Sequence, residues 1–168
     1  MSHSHYSYKD YSFSHSENLP SATTFHRHMH NSFELLYFVK GDANYVIEGS
    51  VYNLCPGDLA ISPRKFHYLD PLSDACYERF VIYIPLDDLP QKMADTLSDF
   101  GEIHRLGGGT PVDLFFEDWK AREKDLSHDR IAEYLFYSLM SMLIYMERLS
   151  SDATEVPAIT KSPMLDSV

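Results

Sequence analysis

Short apolar and aromatic runs, separated by turn residues, occupy the chain from about residue 25 to residue 85. Their β-branched and aromatic content is typical of strands. Glycines recur between the runs at a constant interval, at Gly41, Gly49 and Gly57. Several short strands at this spacing predict an antiparallel sandwich or barrel. The predicted strands are 33–39, 44–48, 50–54, 58–62 and 77–84.

The apolar pattern changes to a helical period after about residue 87. Two short helices are predicted at 87–100 and 112–124, on either side of a glycine-rich break at 106–111. A longer helix is predicted at 129–149, where further apolar residues widen the main stripe beyond one contact face. The stripe consists of Ile131, Leu135, Met142, Tyr145 and Leu149, and the widening residues are Leu139, Met140, Leu143 and Met146.

A helix that is apolar on two sides needs cover on two sides. We therefore expect one side of 129–149 to pack on the sheet and the other to bind a second copy of the chain, giving a homodimer. The alternative is that both sides are buried within one subunit.

The two ends of the chain are polar. Residues 1–24 are rich in Ser, His and Tyr without a sustained period, and we predict a flexible arm there. Residues 25–86 then form a β-rich domain, 87–150 a helical segment, and 151–168 a linker that stops as an apolar pattern begins.

The charge balance argues against a nucleic-acid surface in this chain. Its formal net charge is −11 at pH 7, from 25 acidic and 14 basic side chains, and the basic ones do not cluster. DNA binding requires clustered Lys and Arg to neutralise phosphates. We therefore expect these residues not to bind DNA.

Cysteine usage and the N-terminus predict a cytoplasmic protein. Cys55 and Cys76 are too few for a disulfide framework. The N-terminal residues lack the apolar segment of a signal peptide, and no apolar run is long enough to cross a bilayer, so we expect no membrane association.

The candidate chemistry lies in residues 25–41. On an extended chain His28, His30 and Glu34 point to one face of the sheet. His67 follows the turn at Pro63 and in a closed barrel reaches the same lumen. Three imidazoles and one carboxylate suit a divalent metal such as Zn, Ni, Mn or Fe. The alternative is that these four side chains are polar lumen groups that bind a ligand, or one another, without a metal.

The pattern His28-x-His30-x3-Glu34-x6-Gly41 resembles the metal-binding half of the first cupin motif. Pro63-Arg64-Lys65-Phe66-His67 resembles the second motif in a shortened form, without its usual Gly and Asn. That shortened form is similar to the N-terminal ligand-binding domain of AraC/XylS-type transcriptional regulators. Further matching segments are 45–49, 52–59 and 77–79.

The resemblance implies a cupin-like double-stranded β-helix over 25–86, a jelly-roll barrel that senses a small-molecule effector without being an enzyme. The C-terminal helices would dimerise, and DNA would be bound only by a helix-turn-helix domain beyond this chain. Expected ligand-binding residues are His28, His30, Glu34, Tyr37, Tyr45 and His67.

Two alternatives stay open. One is a small metal-dependent cupin enzyme, a dioxygenase or isomerase. The other concerns Glu78-Arg79, which is interpreted as a surface ion pair but could also recognise an acidic ligand.

Overall fold

The computed structural model describes residues 2–18, 29, 31–100, 102–149 and 154–160. Within these ranges the chain forms ten strands and three helices. The strands are β1 (Ser2–Tyr8), β2 (Tyr11–Asn18), β3 (Ser32–Lys40), β4 (Ala43–Ile47), β5 (Ser50–Asn53), β6 (Asp58–Pro63), β7 (His67–Pro71), β8 (Tyr77–Pro85), β9 (Ile103–Arg105) and β10 (Thr154–Glu155). The helices are α1 (Gln91–Asp99), α2 (Pro111–Arg122) and α3 (His128–Leu149).

The strands form two antiparallel sheets. The larger has the order β1-β2-β8-β3-β6-β9-β10, and the smaller has the order β5-β4-β7. One face of the larger sheet packs on the smaller sheet, and the opposite face packs on the helices. The predicted mainly β fold with C-terminal helices is confirmed.

Alternation along the central strands separates two cores. On β3, Leu36 and Phe38 face the smaller sheet, whereas Phe33 and Leu35 face the helices. Successive strand residues point to opposite faces, so one strand contributes to both cores. We call the space between the two sheets the lumen.

The predicted glycine turns have the expected backbone. Gly41, Gly49 and Gly57 all have positive φ, the region that glycine enters at little cost. At Gly41 a Cβ atom would also lie 2.6 Å from Cβ of Tyr77, so the turn after β3 can approach β8 only without a side chain.

The N-terminal residues differ from the predicted flexible arm. Residues 2–18 form a hairpin whose second strand pairs with β8 across seven residue pairs. Tyr6, Tyr11 and Phe13 are buried against the helices. The predicted flexible arm is therefore wrong over residues 2–18. In β2 the buried Tyr11, Phe13 and His15 alternate with serines, which is a strand pattern, but it is visible only if His15 is recognised as a buried residue. Residues 19–24 lie outside the described ranges.

The helices begin and end near their predicted bounds. Helix α1 starts at Gln91 rather than at 87, because the residue before Pro90 is disfavoured in helical conformation. Helix α2 has a capping box, in which Thr110 and Asp113 each bind the other's backbone N–H. No helix in the described ranges is long and apolar enough to cross a membrane.

Helix α3 buries one broad stripe against the sheet and the other helices, including the predicted Ile131, Leu135 and Met142. Tyr145, which the sequence places on this stripe, is 53% exposed and lies on the outer side.

The segment 154–160, predicted as linker, instead joins both sheets. Val156 N–H donates to the Ile103 carbonyl at 2.9 Å beside the larger sheet. Ile159 and Thr160 exchange backbone hydrogen bonds of 2.7 and 3.0 Å with Val51 of the smaller sheet. We call residues 154–160 the strap.

Candidate functional site

Adjacent strands of the larger sheet bring three polar side chains together at one end of the lumen. In the register, Glu34 of β3 lies opposite Ser62 of β6 on one side and Tyr83 of β8 on the other. Residues directly opposite on neighbouring strands share a face and lie close together. Glu34 is 4% exposed, so its carboxyl group depends on protein partners.

The smaller sheet supplies His67 and Tyr45 from the opposite wall. The turn from β6 into β7 passes through Arg64, which has a positive φ of 43°. A residue with a side chain is strained there, and such strain is typical of positions held in place by their surroundings. The turn carries His67 into the lumen, where it is 1% exposed.

Glu34 is the centre of the resulting hydrogen-bond network. His67 Nε2 lies 2.9 Å from Glu34 Oε2, and the Tyr45 hydroxyl donates to Glu34 Oε1 at 3.0 Å. The Tyr45 hydroxyl also lies 3.4 Å from Ser62 Oγ. The Tyr83 hydroxyl hydrogen-bonds the same carboxyl group. We call Glu34, Tyr45, His67 and Tyr83 the lumen cluster.

Both tyrosines of the lumen cluster are held in their neutral form. Burial, followed by the nearby Glu34, raises the pKa of Tyr45 well above its ordinary value. The same two causes, in the same order, raise the pKa of Tyr83. Their hydroxyl groups therefore stay hydrogen-bond donors at any physiological pH.

A small cavity of about 60 Å³ opens beside the lumen cluster. Leu36, Leu69 and Val81 give it an apolar wall, and Arg79 adds a guanidinium group. Polar groups converging on a partly apolar cavity are typical of a small-molecule site.

The predicted site residues separate into three groups. Glu34, Tyr45 and His67 come together as expected. Tyr37 does not join them, because its odd position on β3 turns it toward the helices, where it donates to Asp113 at 2.8 Å and stacks on Phe116. The remaining two, His28 and His30, lie outside the described residues.

The surface ion-pair interpretation of Glu78-Arg79 is wrong. Neighbouring residues on a strand point to opposite faces, so Arg79 lines the lumen while Glu78 is buried on the helix side. Tyr83 was not among the predicted site residues. The signal was available, since Arg79 and Tyr83 share parity on a strand that pairs with β3.

Two of the predicted metal ligands, Glu34 and His67, lie among the described residues. In the part of the chain that the structure describes, no three His, Cys, Asp or Glu side chains are placed to hold an ion. Glu34 and His67 do fit as two ligands, because neighbouring ligands at about 2.1 Å from an octahedral ion lie about 3 Å apart. His67 also places its Nδ1 2.7 Å from the Lys65 carbonyl, an outer hydrogen bond that metal-binding histidines commonly make.

A second, larger cavity of about 370 Å³ lies on the helix side of the sheet. Tyr37, Arg105, Asp113 and Glu117 line it together with the glycine-rich loop at 107–109. Arg105 binds the buried Asp58 with two hydrogen bonds, and Asp113 caps α2, so both already serve the fold.

A charged cluster on the helix side fastens the N-terminal hairpin. Both ring nitrogens of His15 lie 2.9 Å from carboxylates, Nε2 from Glu78 and Nδ1 from Glu123. Burial opposes the charged ring, but the hydrogen bonds and charges of Glu123 and Glu78 outweigh it and raise the pKa of His15. Lys120 also binds Glu78, at 2.5 Å. This imidazolium joins β2, β8 and the end of α2.

The sequence model of AraC-like ligand-binding domains matches residues 11–140. No curated protein matches significantly.

Among solved structures, the chain is similar to a cupin 2 conserved barrel domain protein from Salinispora arenicola, with 18% identity over 52% of this chain and 70% of that one and a TM-score of 0.39. An RmlC-like cupin with a double-stranded β-helix fold from Methanocaldococcus jannaschii gives 19% identity over 45% and 70%, with a TM-score of 0.40. Salicylate 1,2-dioxygenase from Pseudoaminobacter salicylatoxidans shares 18% identity over 44% of this chain and 21% of that one, with a TM-score of 0.40.

The family match spans most of the chain, from the second strand of the hairpin into α3. It includes every residue of the lumen cluster. The chain therefore belongs to the family of AraC-like ligand-binding domains.

Proposed function

We propose that this domain senses a small-molecule effector in its lumen and transmits binding to a transcriptional regulator of the AraC type. The observation that carries the proposal is the convergence of Glu34, Tyr45, His67 and Tyr83 from both sheets on one cavity. Because the cluster spans the gap between the sheets, a ligand that binds it biases how the sheets sit together.

The effector test is thermal unfolding against a panel of sugars, polyols, amines and acids. A ligand that binds only the folded state raises the melting temperature. We expect the shift to be lost in Glu34→Gln and kept in Glu117→Gln, a matched change beside the 370 Å³ cavity. If the ligand-induced shift were lost only in Glu117→Gln, the effector would bind on the helix side of the sheet. That result would contradict a lumen sensor.

We propose a homodimer through the outer side of α3. Tyr137 and Ile144 are 59% and 55% exposed on this helix, while Tyr145 and Leu114 of α2 extend the same apolar surface. Large apolar patches on a protein surface commonly mark interfaces. The partner proposed is a second copy of the chain, because two such faces can cover each other symmetrically.

Sedimentation at increasing concentration tests the dimer. Tyr137→Glu and Ile144→Glu should shift the protein toward monomer, and Leu72→Glu, on an exposed apolar residue elsewhere, should not. A wild-type protein that stays monomeric would remove this role from α3.

DNA contacts, in this proposal, belong to a domain joined to this one. The 25 acidic and 14 basic side chains here give an unfavourable surface for phosphates. A gel-shift assay with this domain should show no specific DNA binding. The cytoplasmic location of the protein stays a prediction.

A metal in the lumen also stays a proposal. Glu34 and His67 would hold it, with His28 and His30 as the further predicted ligands. A bound divalent ion would act as a Lewis acid on an oxygen of the bound molecule, which is also what the alternative function, a metal-dependent cupin enzyme, would need.

Metal analysis of protein purified without immobilised nickel tests this idea. Stoichiometric metal that is lost in His67→Ala and in His28→Ala would support it. Absence of metal, with no change in thermal stability on adding Zn, Ni, Mn or Fe, would end the metal proposal and with it the enzyme alternative.

A further inference from the structure

The strap and a pair of side chains join the two sheets at adjacent residues. The backbone of the strap is hydrogen-bonded to Ile103 of β9 and to Val51 of β5. In the side-chain pair, the Tyr52 hydroxyl of β5 donates to the carboxylate of Glu102, just before β9. Glu102 precedes Ile103 in the chain, and Tyr52 follows Val51. The side-chain pair therefore joins the neighbours of the two residues that the strap holds.

Glu102 belongs to one sheet through its backbone and reaches the other with its side chain. Its carbonyl accepts from the Ile61 N–H of β6 at 2.8 Å, which ties it to the larger sheet. Its carboxylate binds Tyr52 of the smaller sheet. Burial, followed by the hydrogen bond to Glu102, raises the pKa of Tyr52. The hydroxyl therefore stays a donor at physiological pH, and Glu102 fixes how the two sheets sit together at this end.

The same carboxylate is connected to the lumen cluster through Lys65. Nζ of Lys65 lies 2.5 Å from Glu102 Oε1. The Lys65 carbonyl can only accept, so Nδ1 of His67 donates to it, at 2.7 Å. The other ring nitrogen of His67 lies 2.9 Å from Glu34 Oε2. An unbroken series of contacts therefore runs from the lumen cluster through Lys65 to Glu102.

The turn between β6 and β7, which carries Lys65 and His67, is held in place on both sides of Lys65. Arg64 has a φ of 43°, in the left-handed region. Phe66 exchanges two hydrogen bonds with Glu48, because its N–H donates to the Glu48 carboxylate at 2.6 Å and its carbonyl accepts from the Glu48 N–H at 2.8 Å. Rigid segments and hydrogen-bond networks of this kind carry coupling between separate sites.

We propose that Glu102 transmits the state of the lumen cluster to the strap. A molecule that moves His67 also moves Lys65, and the ion pair passes the displacement to Glu102. Because Glu102 and Tyr52 lie on different sheets, their movement changes the separation of the sheets beside the hydrogen bonds of the strap. This inference rests on the proposed function and names the route by which binding in the lumen reaches the strap.

The test uses variants, so that it does not require the effector to be known. Glu34→Gln changes the hydrogen bonding of His67 and represents a change in the lumen cluster. Amide hydrogen exchange at Val51, Val156 and Ile159 reports on the strap, because these N–H groups donate its hydrogen bonds. We expect Glu34→Gln to change their exchange rates by roughly 2- to 30-fold, the range of coupling found between linked sites.

Variants along the route decide whether Glu102 carries this response. In Glu102→Gln, which breaks the ion pair with Lys65, the response of the strap to Glu34→Gln should fall below about twofold. Lys65→Gln, at the other end of the pair, should give the same loss. Glu133→Gln is the matched control, because it breaks a 2.5 Å ion pair on α3 and should leave the response intact. The buried amide of Leu139 in α3 reports global unfolding, and the strap rates are compared with it.

Two outcomes would overturn the inference. If Glu102 only stabilised the strap, Glu102→Gln would speed exchange there but leave the response to Glu34→Gln unchanged. A strap that does not respond to Glu34→Gln in the otherwise wild-type protein would also contradict it. Neither result contradicts the proposed sensor, which the effector panel tests separately. If Glu34→Gln does not fold, Tyr45→Phe takes its place, because it removes one hydroxyl from the lumen cluster and keeps the ring.

Discussion

The two faces of the larger sheet bury different kinds of side chain. On the helix side, aromatic rings pack against one another, with Phe13, Phe80 and Phe116 around Trp119. On the lumen side, a carboxyl group, an imidazole and two hydroxyls converge on a cavity. Apolar packing stabilises the fold directly, whereas a buried polar cluster requires every member to find a partner. The comparison indicates that the helix face holds the fold together and the lumen face serves binding.

The largest effect should come from the helix face. Trp119 is fully buried, and Trp119→Ala should lower the free energy of unfolding by about 3–5 kcal/mol through lost burial and a cavity. Leu72→Ala, at an exposed apolar residue, should change it by less than about 0.5 kcal/mol. Urea unfolding measures both. If Trp119→Ala and Leu72→Ala lowered the free energy of unfolding by equally small amounts, the helix face would not have this stabilising role.

In the lumen cluster, the effects of replacing Glu34 and His67 on the free energy of unfolding should be coupled rather than additive. Glu34→Leu or His67→Leu alone leaves a buried polar partner unsatisfied and should cost about 3–5 kcal/mol. The double variant should cost less than the sum, with a coupling energy of about 1–3 kcal/mol, because neither Glu34 nor His67 is then left without the other. A double-mutant cycle in urea measures this, and additive losses would contradict the direct pairing of Glu34 with His67.

His15 should make the helix face pH-dependent. Its pKa is raised on folding, so its contribution is fully present below the unfolded value of 6.5 and is lost as pH rises through the folded pKa. His15→Gln should therefore cost most at pH 6 and progressively less in alkali. We expect about 1.5–3 kcal/mol at the acidic end, as for hydrogen bonds between charged groups. A loss of stability in His15→Gln that grows with pH would contradict a positively charged His15 ring in the folded protein.

His104 should show the opposite slope with a smaller effect. Both ring nitrogens lack a hydrogen-bond partner among the described residues, and burial lowers the pKa of the ring. The unfolded chain therefore takes up a proton first, and stability falls as pH drops below 6.5. His104→Leu should change stability by less than about 1.5 kcal/mol at neutral pH and flatten the acid slope in thermal unfolding. An unchanged acid slope would show that His104 is not its source.

Most of the fold could be predicted from the sequence, because the spacing of the apolar residues distinguishes strands from helices. The central strands and all three helices were predicted within a few residues. The N-terminal hairpin was missed because His15 and three serines hide its alternation, and His15 becomes a core residue only through Glu78 and Glu123, which are distant in sequence.

The site was predictable where parity and motif agreed, as for Glu34, Tyr45 and His67. Tyr37 was misplaced because a predicted strand does not show which of its faces meets which neighbour. Arg79 was interpreted as half of a surface ion pair, with recognition of an acidic ligand as the alternative, and Tyr83 was missed. Both positions depend on β8 lying beside β3, and strand order is set by tertiary packing rather than by local pattern.

The strap ties the two sheets of the sandwich to each other. Its backbone is hydrogen-bonded to Ile103 in one wall and to Val51 in the other. Any widening or narrowing between the walls must therefore displace Thr160 or break one of these bonds.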